Sequence, residues 1–189
     1  MINMVQITHS AEVIDKTRAQ VENFFKNLKT LEADFIQVSP SGKISNGKIF
    51  LDLPGKLRLN YNEPSNLLIT CKGFWIVIQN RKSKSTNNIP LSQTPFSILL
   101  ENKINFDNKD LIVNLNKTLG IIKLKIKLAR DTQAGELLLE FSEKPFILKK
   151  WTIRDIVGDK TTVLIQNTRY NQKLPFTIFF PDIFPEPNI

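Results

Sequence analysis

The residue types that perform group chemistry are nearly missing from this chain of 189 residues, which holds one histidine, His9, and one cysteine, Cys71. A structural zinc site draws on four Cys or His ligands, and a disulfide framework needs paired thiols. Neither can be assembled here, and a Cys/His nucleophile pair would have to come from these two residues alone. No acid/base pair or nucleophile constellation rises above chance, so an enzyme is the least expected class. Cys71 closes the apolar run Leu67-Leu68-Ile69-Thr70-Cys71 and reads as a buried packing residue. His9 reads as an exposed residue ahead of a helix. The chain is instead rich in large apolar rings, with 13 Phe against 2 Trp and 2 Tyr, so few of its rings carry a polar handle. The formal charge of +8 fits either a lysine-rich solvated surface or affinity for phosphates, in nucleic acid or in lipid head groups.

These residues need elements to position them. A length of 189 residues suits a single domain, residues 1–189, with enough chain for a real core. No apolar run approaches the roughly 18–20 residues of a membrane-spanning helix. Residues 10–31 carry helical spacing, with Val13, Ile14, Val21, Phe24, Phe25, Leu28 and Leu31 on one face and charges on the other. Ser10 is the expected N-cap. After Leu31 the period becomes two, predicting strands at 33–38, 44–53, 56–62, 66–71 and 74–80, separated by Gly/Pro/Ser turns. Residues 81–93 read as a loop or irregular edge, and Pro95 opens a short apolar helix over Phe96–Leu100. Segment 102–120 gives no clear pattern. Strands return at 121–129, 136–142, 146–155 and 160–168, with a turn from Asp131 to Gly135, a last short strand at 176–180 and an irregular proline-bearing tail. The expected class is α+β, mainly antiparallel β. About nine to eleven strands form one strongly curled sheet, an unclosed half-barrel, whose open side is plugged by the amphipathic helix and a short lid helix.

Within this frame an ordered set of short motifs appears. Phe35-Ile36-Gln37 is followed by Gly47 and then by Leu53-Pro54-Gly55-Lys56-Leu57-Arg58-Leu59-Asn60-Tyr61-Asn62-Glu63-Pro64. Lys72-Gly73-Phe74-Trp75, Thr94-Pro95-Phe96-Ser97-Ile98-Leu99-Leu100 and Trp151-Thr152-Ile153-Arg154-Asp155 follow, with Gly158 and Thr161-Thr162-Val163. In order and spacing, from about residue 20 to residue 180, this set resembles the outer-membrane lipoprotein carrier (LolA) family. The resemblance implies an unclosed antiparallel barrel with a helical lid, no catalysis and no cofactor. It implies a periplasmic chaperone that receives lipoproteins from an inner-membrane lipoprotein-releasing ABC transporter and carries their acyl chains to an outer-membrane acceptor, working as a monomer. A signal peptide is also implied. The opening MINMVQITHS lacks a charged n-region and a continuous apolar h-region, so the chain is expected to be a mature or trimmed form. In one respect it departs from the family. Leu53 stands where members commonly carry an Arg that ties barrel to lid, so closure here is expected to rest on apolar contact or another donor.

Holding hydrocarbon in water and still releasing it calls for a container lined by apolar side chains. Burying one CH₂ gains ~0.8 kcal/mol, so about fifteen methylenes gain on the order of 12 kcal/mol before ordering costs. The residues expected to meet acyl chains are Phe35, Leu51 and Leu53 on the first strands, then Leu59, Tyr61 and Trp75. Phe96, Leu99 and Leu100 are expected in the lid, with Phe141 and Trp151 in the second half. Strand parity groups Ile49 with Leu51 and Leu53, Leu57 with Leu59 and Tyr61, and Leu137 with Leu139 and Phe141, without saying which sheet face meets the cavity. Arg58 alternates with Leu57 and Leu59 and is expected to face solvent. Lys123, Lys125 and Lys127 form an outer ladder, either merely solvated or docking to an anionic lipid surface or acidic partner. A sensing module on the same scaffold is the main alternative to a carrier, and it would be expected to have a second domain, for which this length leaves no room. Nucleic-acid binding ranks below both, because the ladder strand interleaves lysine with Ile and Leu rather than with stacking aromatics.

Overall fold

A computed structural model describes residues 4–101, 104–129 and 135–184, with side chains of the first helix described from residue 13. Helix α1 (Met4–Asn27) leads into six strands: β1 (Thr30–Val38), β2 (Ile44–Asp52), β3 (Lys56–Tyr61), β4 (Leu67–Lys72), β5 (Trp75–Asn80) and β6 (Ser85–Pro90). A 3-10 turn at Leu91–Gln93 and the short helix α2 (Phe96–Leu100) come next. Strands β7 (Leu111–Thr118), β8 (Ile121–Leu128), β9 (Glu136–Ser142), β10 (Ile147–Arg154) and β11 (Lys160–Tyr170) complete the sheet. All eleven form one antiparallel sheet in the order β6-β5-β4-β3-β2-β1-β11-β10-β9-β8-β7, open between its edges β6 and β7. Each half is a run of sequential hairpins. The halves meet where β1 pairs with β11, from Leu31 opposite Tyr170 to Val38 opposite Thr162. Register shifts between Glu32 and Asp34 and between Leu148 and Lys150 bend the strands that carry them.

Period-two patterning decides the two faces. In β8, Ile122, Leu124 and Ile126 are fully buried while Lys123, Lys125 and Lys127 are exposed. Ile49, Leu51, Leu57, Leu59, Tyr61, Leu137, Leu139 and Phe141 all join the same buried cluster, on the concave face. Helix α1 covers part of that face through Val21 and Phe25, and Leu28 just past its end continues the cover. Phe24 meets Phe25, Phe141, Phe146 and Tyr170 edge-on at centroid distances of 5.1, 5.3, 5.7 and 5.5 Å, the favoured geometry of aromatic pairs.

The structure shifts several expected boundaries. The helix spans Met4–Asn27 rather than 10–31, so Ser10 lies inside it and not at its start. Leu28 and Leu31 are buried in the connection and in β1, which is why their spacing also fitted a helix. What ends the helix is remote in sequence. Asn171 donates to the Asn27 carbonyl at 3.1 Å and accepts from the Lys29 amide at 2.8 Å. Ile14, expected on the apolar face, is 36% exposed, and Thr17 is buried instead, its hydroxyl donating to the Val13 carbonyl at 2.7 Å. Residues 81–93 hold strand β6, polar because it is a sheet edge with one neighbour. The patternless 102–120 holds β7, where Asn114 and Asn116 occupy the outward positions. Residues 176–180 form a 3-10 turn, Phe176–Phe179, instead of a strand. Residues 102–103, most of the expected 131–135 turn, the end of the tail and the His9 side chain lie outside the described residues.

Gly47 shows how closely β2 and β3 approach. A Cβ on this residue would lie 2.1 Å from the Asn60 carbonyl oxygen and 2.9 Å from the Tyr61 Cα. Both are backbone atoms, so the strands themselves would have to part. Gly47→Ala is therefore expected to destabilise the protein by about 1–3 kcal/mol, the usual cost of overpacking, measured by urea unfolding. An unchanged midpoint would show that the β2–β3 pair is looser than this spacing.

Candidate ligand cavity

A helix of five residues does not hold together alone in water, so α2 must be held by what surrounds it. Pro95 supplies its first-turn geometry. The Thr94 hydroxyl donates to the Leu91 carbonyl at 2.9 Å and the Ser97 hydroxyl to the Thr94 carbonyl at 3.0 Å. Ile98, Leu99 and Leu100 are buried against the concave face. Two main-chain bonds pin the ends of this segment to neighbouring turns of the sheet. The Leu91 amide donates to the Phe74 carbonyl at 2.8 Å, and the Gly55 amide donates to the Leu100 carbonyl at 2.7 Å. The Gly73 amide in turn donates to the Gly55 carbonyl at 3.2 Å. The lid is thus latched through the turn that follows Leu53 by a donor that any residue except proline possesses. Leu53 itself is half-buried against the core, and its amide donates to Lys29.

Between lid and sheet lies a cavity of about 650 Å³. Its wall is Leu57, Ile69, Ile76, Ile78 and Ile89, contributed by β3 to β6. The lid segment contributes Gln93, Thr94, Pro95 and Phe96, and the end of β10 with its following turn contributes Ile153, Asp155 and Ile156. Asp155 is committed to that turn, accepting from the Val157 and Asp159 amides at 3.0 and 2.9 Å. The volume falls within the roughly 300–1,000 Å³ of small-molecule sites, and the wall is largely hydrocarbon.

Of the residues expected to line such a space, Phe96 does so directly, and its ring meets Trp151 edge-on at 5.9 Å. Trp151 is fully buried behind it, and its Nε1 has no hydrogen-bond acceptor. Phe35, Leu51, Leu59, Leu99 and Leu100 belong to the buried concave core, as does Tyr61, whose hydroxyl donates to Gln37 Oε1 at 2.7 Å. Burial pushes the Tyr61 phenol up to about 12, with the Gln37 bond pulling the other way. Phe141 sits in the aromatic cluster beneath α1. Trp75 points to the opposite, convex face, because β5 alternates it with the inward Ile76 and Ile78. Sequence reasoning missed Ile69, Ile76, Ile78, Ile89 and Ile156. Strand β5 is apolar on both faces, so parity could not choose between Trp75 and Ile76, and Ile89 sits at the end of a polar stretch. Burial pushes the Cys71 thiol up to about 11, the behaviour of a packing residue.

Arg58 does not face open solvent. The C-terminal segment crosses the convex side of β3 to β5, and Arg58 Nη1 donates to the Ile178 and Phe180 carbonyls at 2.8 and 3.2 Å. Gln79 exchanges two bonds with the Asp182 backbone at 2.9 and 2.7 Å, and Arg81 pairs with the Asp182 carboxylate at 2.6 Å. Phe179 and Leu68 are fully buried.

The sequence profile of the family "Outer membrane lipoprotein carrier protein LolA" matches residues 26–182. The chain is 24% identical over 186 residues to an outer-membrane lipoprotein carrier protein of Pseudomonas fluorescens (strain Pf0-1), covering 93% of this chain and 89% of that one. It is 25% identical over 173 residues to an uncharacterized protein of Rickettsia prowazekii (strain Madrid E), covering 89% of this chain and 79% of that one. A crystallised domain from Vibrio parahaemolyticus, ascribed to outer membrane lipoprotein sorting, has the same fold. It superposes with a TM-score of 0.52 at 10% identity, over 86% of this chain and 94% of that one.

Gly55 tests the latch. Its φ is +82°, and an added Cβ would meet nothing nearer than the Gly73 nitrogen at 4.0 Å. Gly55→Ala therefore strains only the left-handed backbone, by about 1–2 kcal/mol. Hydrogen exchange across residues 94–101 should accelerate roughly tenfold, with the β8–β10 amides unaffected. Unaltered exchange would place the latch elsewhere.

Proposed function

Because this chain belongs to the LolA family of outer membrane lipoprotein carrier proteins, we propose that it carries lipoproteins by holding their acyl chains in the cavity beneath α2. The observation that carries this reading is the apolar wall of about 650 Å³ closed by a five-residue lid. It acts as a periplasmic chaperone and a monomer, taking lipoproteins from an inner-membrane releasing ABC transporter to an outer-membrane acceptor. The physical logic is competition. Phe96 and Ile156 cover the wall with protein hydrocarbon, and an acyl chain offers hydrocarbon of its own at ~0.8 kcal/mol per methylene. The lid's main-chain bonds contribute only about 0.5–1.5 kcal/mol each, so cargo displaces the lid without the protein unfolding. The wall of Leu57, Ile69, Ile76, Ile78 and Ile89 holds cargo by excluding water.

A fatty-acid probe whose fluorescence rises in apolar surroundings should bind with one-to-one saturation at micromolar concentration. Ile78→Glu places a carboxylate in the wall, where its desolvation is unfavourable by several kcal/mol, and should weaken probe binding at least tenfold at neutral pH while circular dichroism stays unchanged. Saturable binding by the native chain that Ile78→Glu leaves intact would move the ligand out of this cavity, and no binding at all would sink the carrier reading.

A further inference from the structure

One end of the lid segment is tied to the turn that carries Phe74, the most exposed aromatic ring of the described residues. Phe74, whose carbonyl holds the Leu91 amide, is 86% exposed, and Trp75 beside it is 53% exposed. Neither ring belongs to the buried core. On the same convex side lie Phe176, 50% exposed, and Phe180, 42% exposed, edge-on at 5.2 Å. Lys72 links them to the turn, its ammonium 4.5 Å from the Phe176 centroid and 4.0 Å from that of Phe180. Lys56, which pairs with Asp52 at 2.6 Å, lies 5.4 Å from the Phe176 centroid. Lys72 is one step beyond the Cys71–Ile76 pair, across from Trp75, so Trp75, Phe176 and Phe180 share a patch of the convex side around Lys72, with Phe74 in the adjoining turn.

We infer that this patch is a docking surface for an anionic phospholipid bilayer. Rings left in water beside cations match the interfacial layer of a membrane, where Trp and Phe bury their apolar bodies and lysines reach the phosphates. No carboxylate of the described residues pairs with Lys72, and the chain carries a net charge of +8, so the field around the patch favours negative head groups. The lysine ladder of β8 is the weaker candidate. Lys125 and Lys127 are held by Glu136 at 3.3 and 3.2 Å, and no exposed aromatic accompanies them. The patch also sits where docking is useful. Gly73 bonds to Gly55, and Gly55 bonds to Leu100, so the surface that meets the bilayer is one hydrogen-bonded turn from the lid's end. That usefulness rests on the carrier reading, whereas the docking is measured without cargo.

The test uses the full chain and vesicles of phosphatidylglycerol mixed with phosphatidylcholine. The chain has two tryptophans and Trp151 is fully buried, so in Trp151→Phe the emission reports Trp75 alone. That emission should shift to the blue when anionic vesicles are added and be quenched by brominated acyl chains. Cosedimentation of the otherwise native chain should fall at least tenfold in Phe74→Ser/Trp75→Ser. It should fall in Lys72→Glu on anionic vesicles only, while fatty-acid probe binding is the same in all variants. The inference is overturned by equal cosedimentation of Phe74→Ser/Trp75→Ser and the native chain, or by loss in Lys72→Glu alone, which would be unspecific charge attraction. It is also overturned by a concentration-dependent blue shift without vesicles accompanied by a doubled sedimenting mass, which would assign the patch to a second copy of this chain. Failure of probe binding with intact vesicle docking would count against the carrier reading and leave this surface standing.

Discussion

An open sheet whose inner face is apolar cannot be left wet. At roughly 25 cal/mol per Å², leaving the concave side of eleven strands in water would forfeit the largest favourable contribution the fold has, and every other feature answers that constraint. Helix α1 covers part of it with Val21, Phe24 and Phe25, joined by Leu28 just past its end, and α2 covers more with Ile98, Leu99 and Leu100. Where the covering is thinnest, between β3–β6, Phe96 and the end of β10, a cavity remains. The same demand that folds the chain therefore creates the space, and the part of the cover that is shortest is the part best able to move.

How much of this was legible depended on whether a signal was local. Alternation in β8 and β9 and the turn chemistry of Pro54-Gly55 and Lys72-Gly73 are written in neighbouring residues, and the half-barrel class, the lid and most strands follow from them. The inward sets of Leu57/Leu59/Tyr61 and Leu137/Leu139/Phe141 were grouped correctly, although parity left their face open. The misses share a different cause. The helix ends where Asn171 reaches its last turn, and Arg58 is covered by a tail some 120 positions away. Strand β6 is polar because it has a neighbour on one side only. Trp75 was expected to meet acyl chains, with parity leaving the face open, whereas its direction is set by pairing opposite Pro90, in step with Ile76 opposite Ile89. Each of these facts exists only after the chain has closed on itself.

The convex side carries a second, smaller solution to the same problem. Leu68, Thr70 and Phe179 are buried there, outside the main cluster, under the C-terminal segment. Arg58, Gln79 and Arg81 bind the Ile178, Phe180 and Asp182 carbonyls and the Asp182 carboxylate, which lets main chain lie on sheet with those groups paired, although the Thr70 hydroxyl beneath it is buried without a partner. Strands β3 to β5 are thus clamped between lid and tail, so the wall of the cavity is stiffened from behind while its front is held by a few main-chain bonds.

The order of strands also bears on how the chain comes together in time. Nine of the ten strand pairings join consecutive strands, whereas the pairing of β1 with β11 joins segments as distant as Leu31 and Tyr170. Loop-closure entropy makes such contacts late and slow. Two meanders can form independently, each with a bare edge where the seam will be, and the cap from Asn171 to Asn27 becomes available only when the two edges meet. Until β11 is present, β1 is an unpaired edge rich in apolar residues, the kind that aggregates. A chain emerging amino-end first thus leaves this edge of β1 bare while the next nine strands are made, and β11 is the strand that protects it.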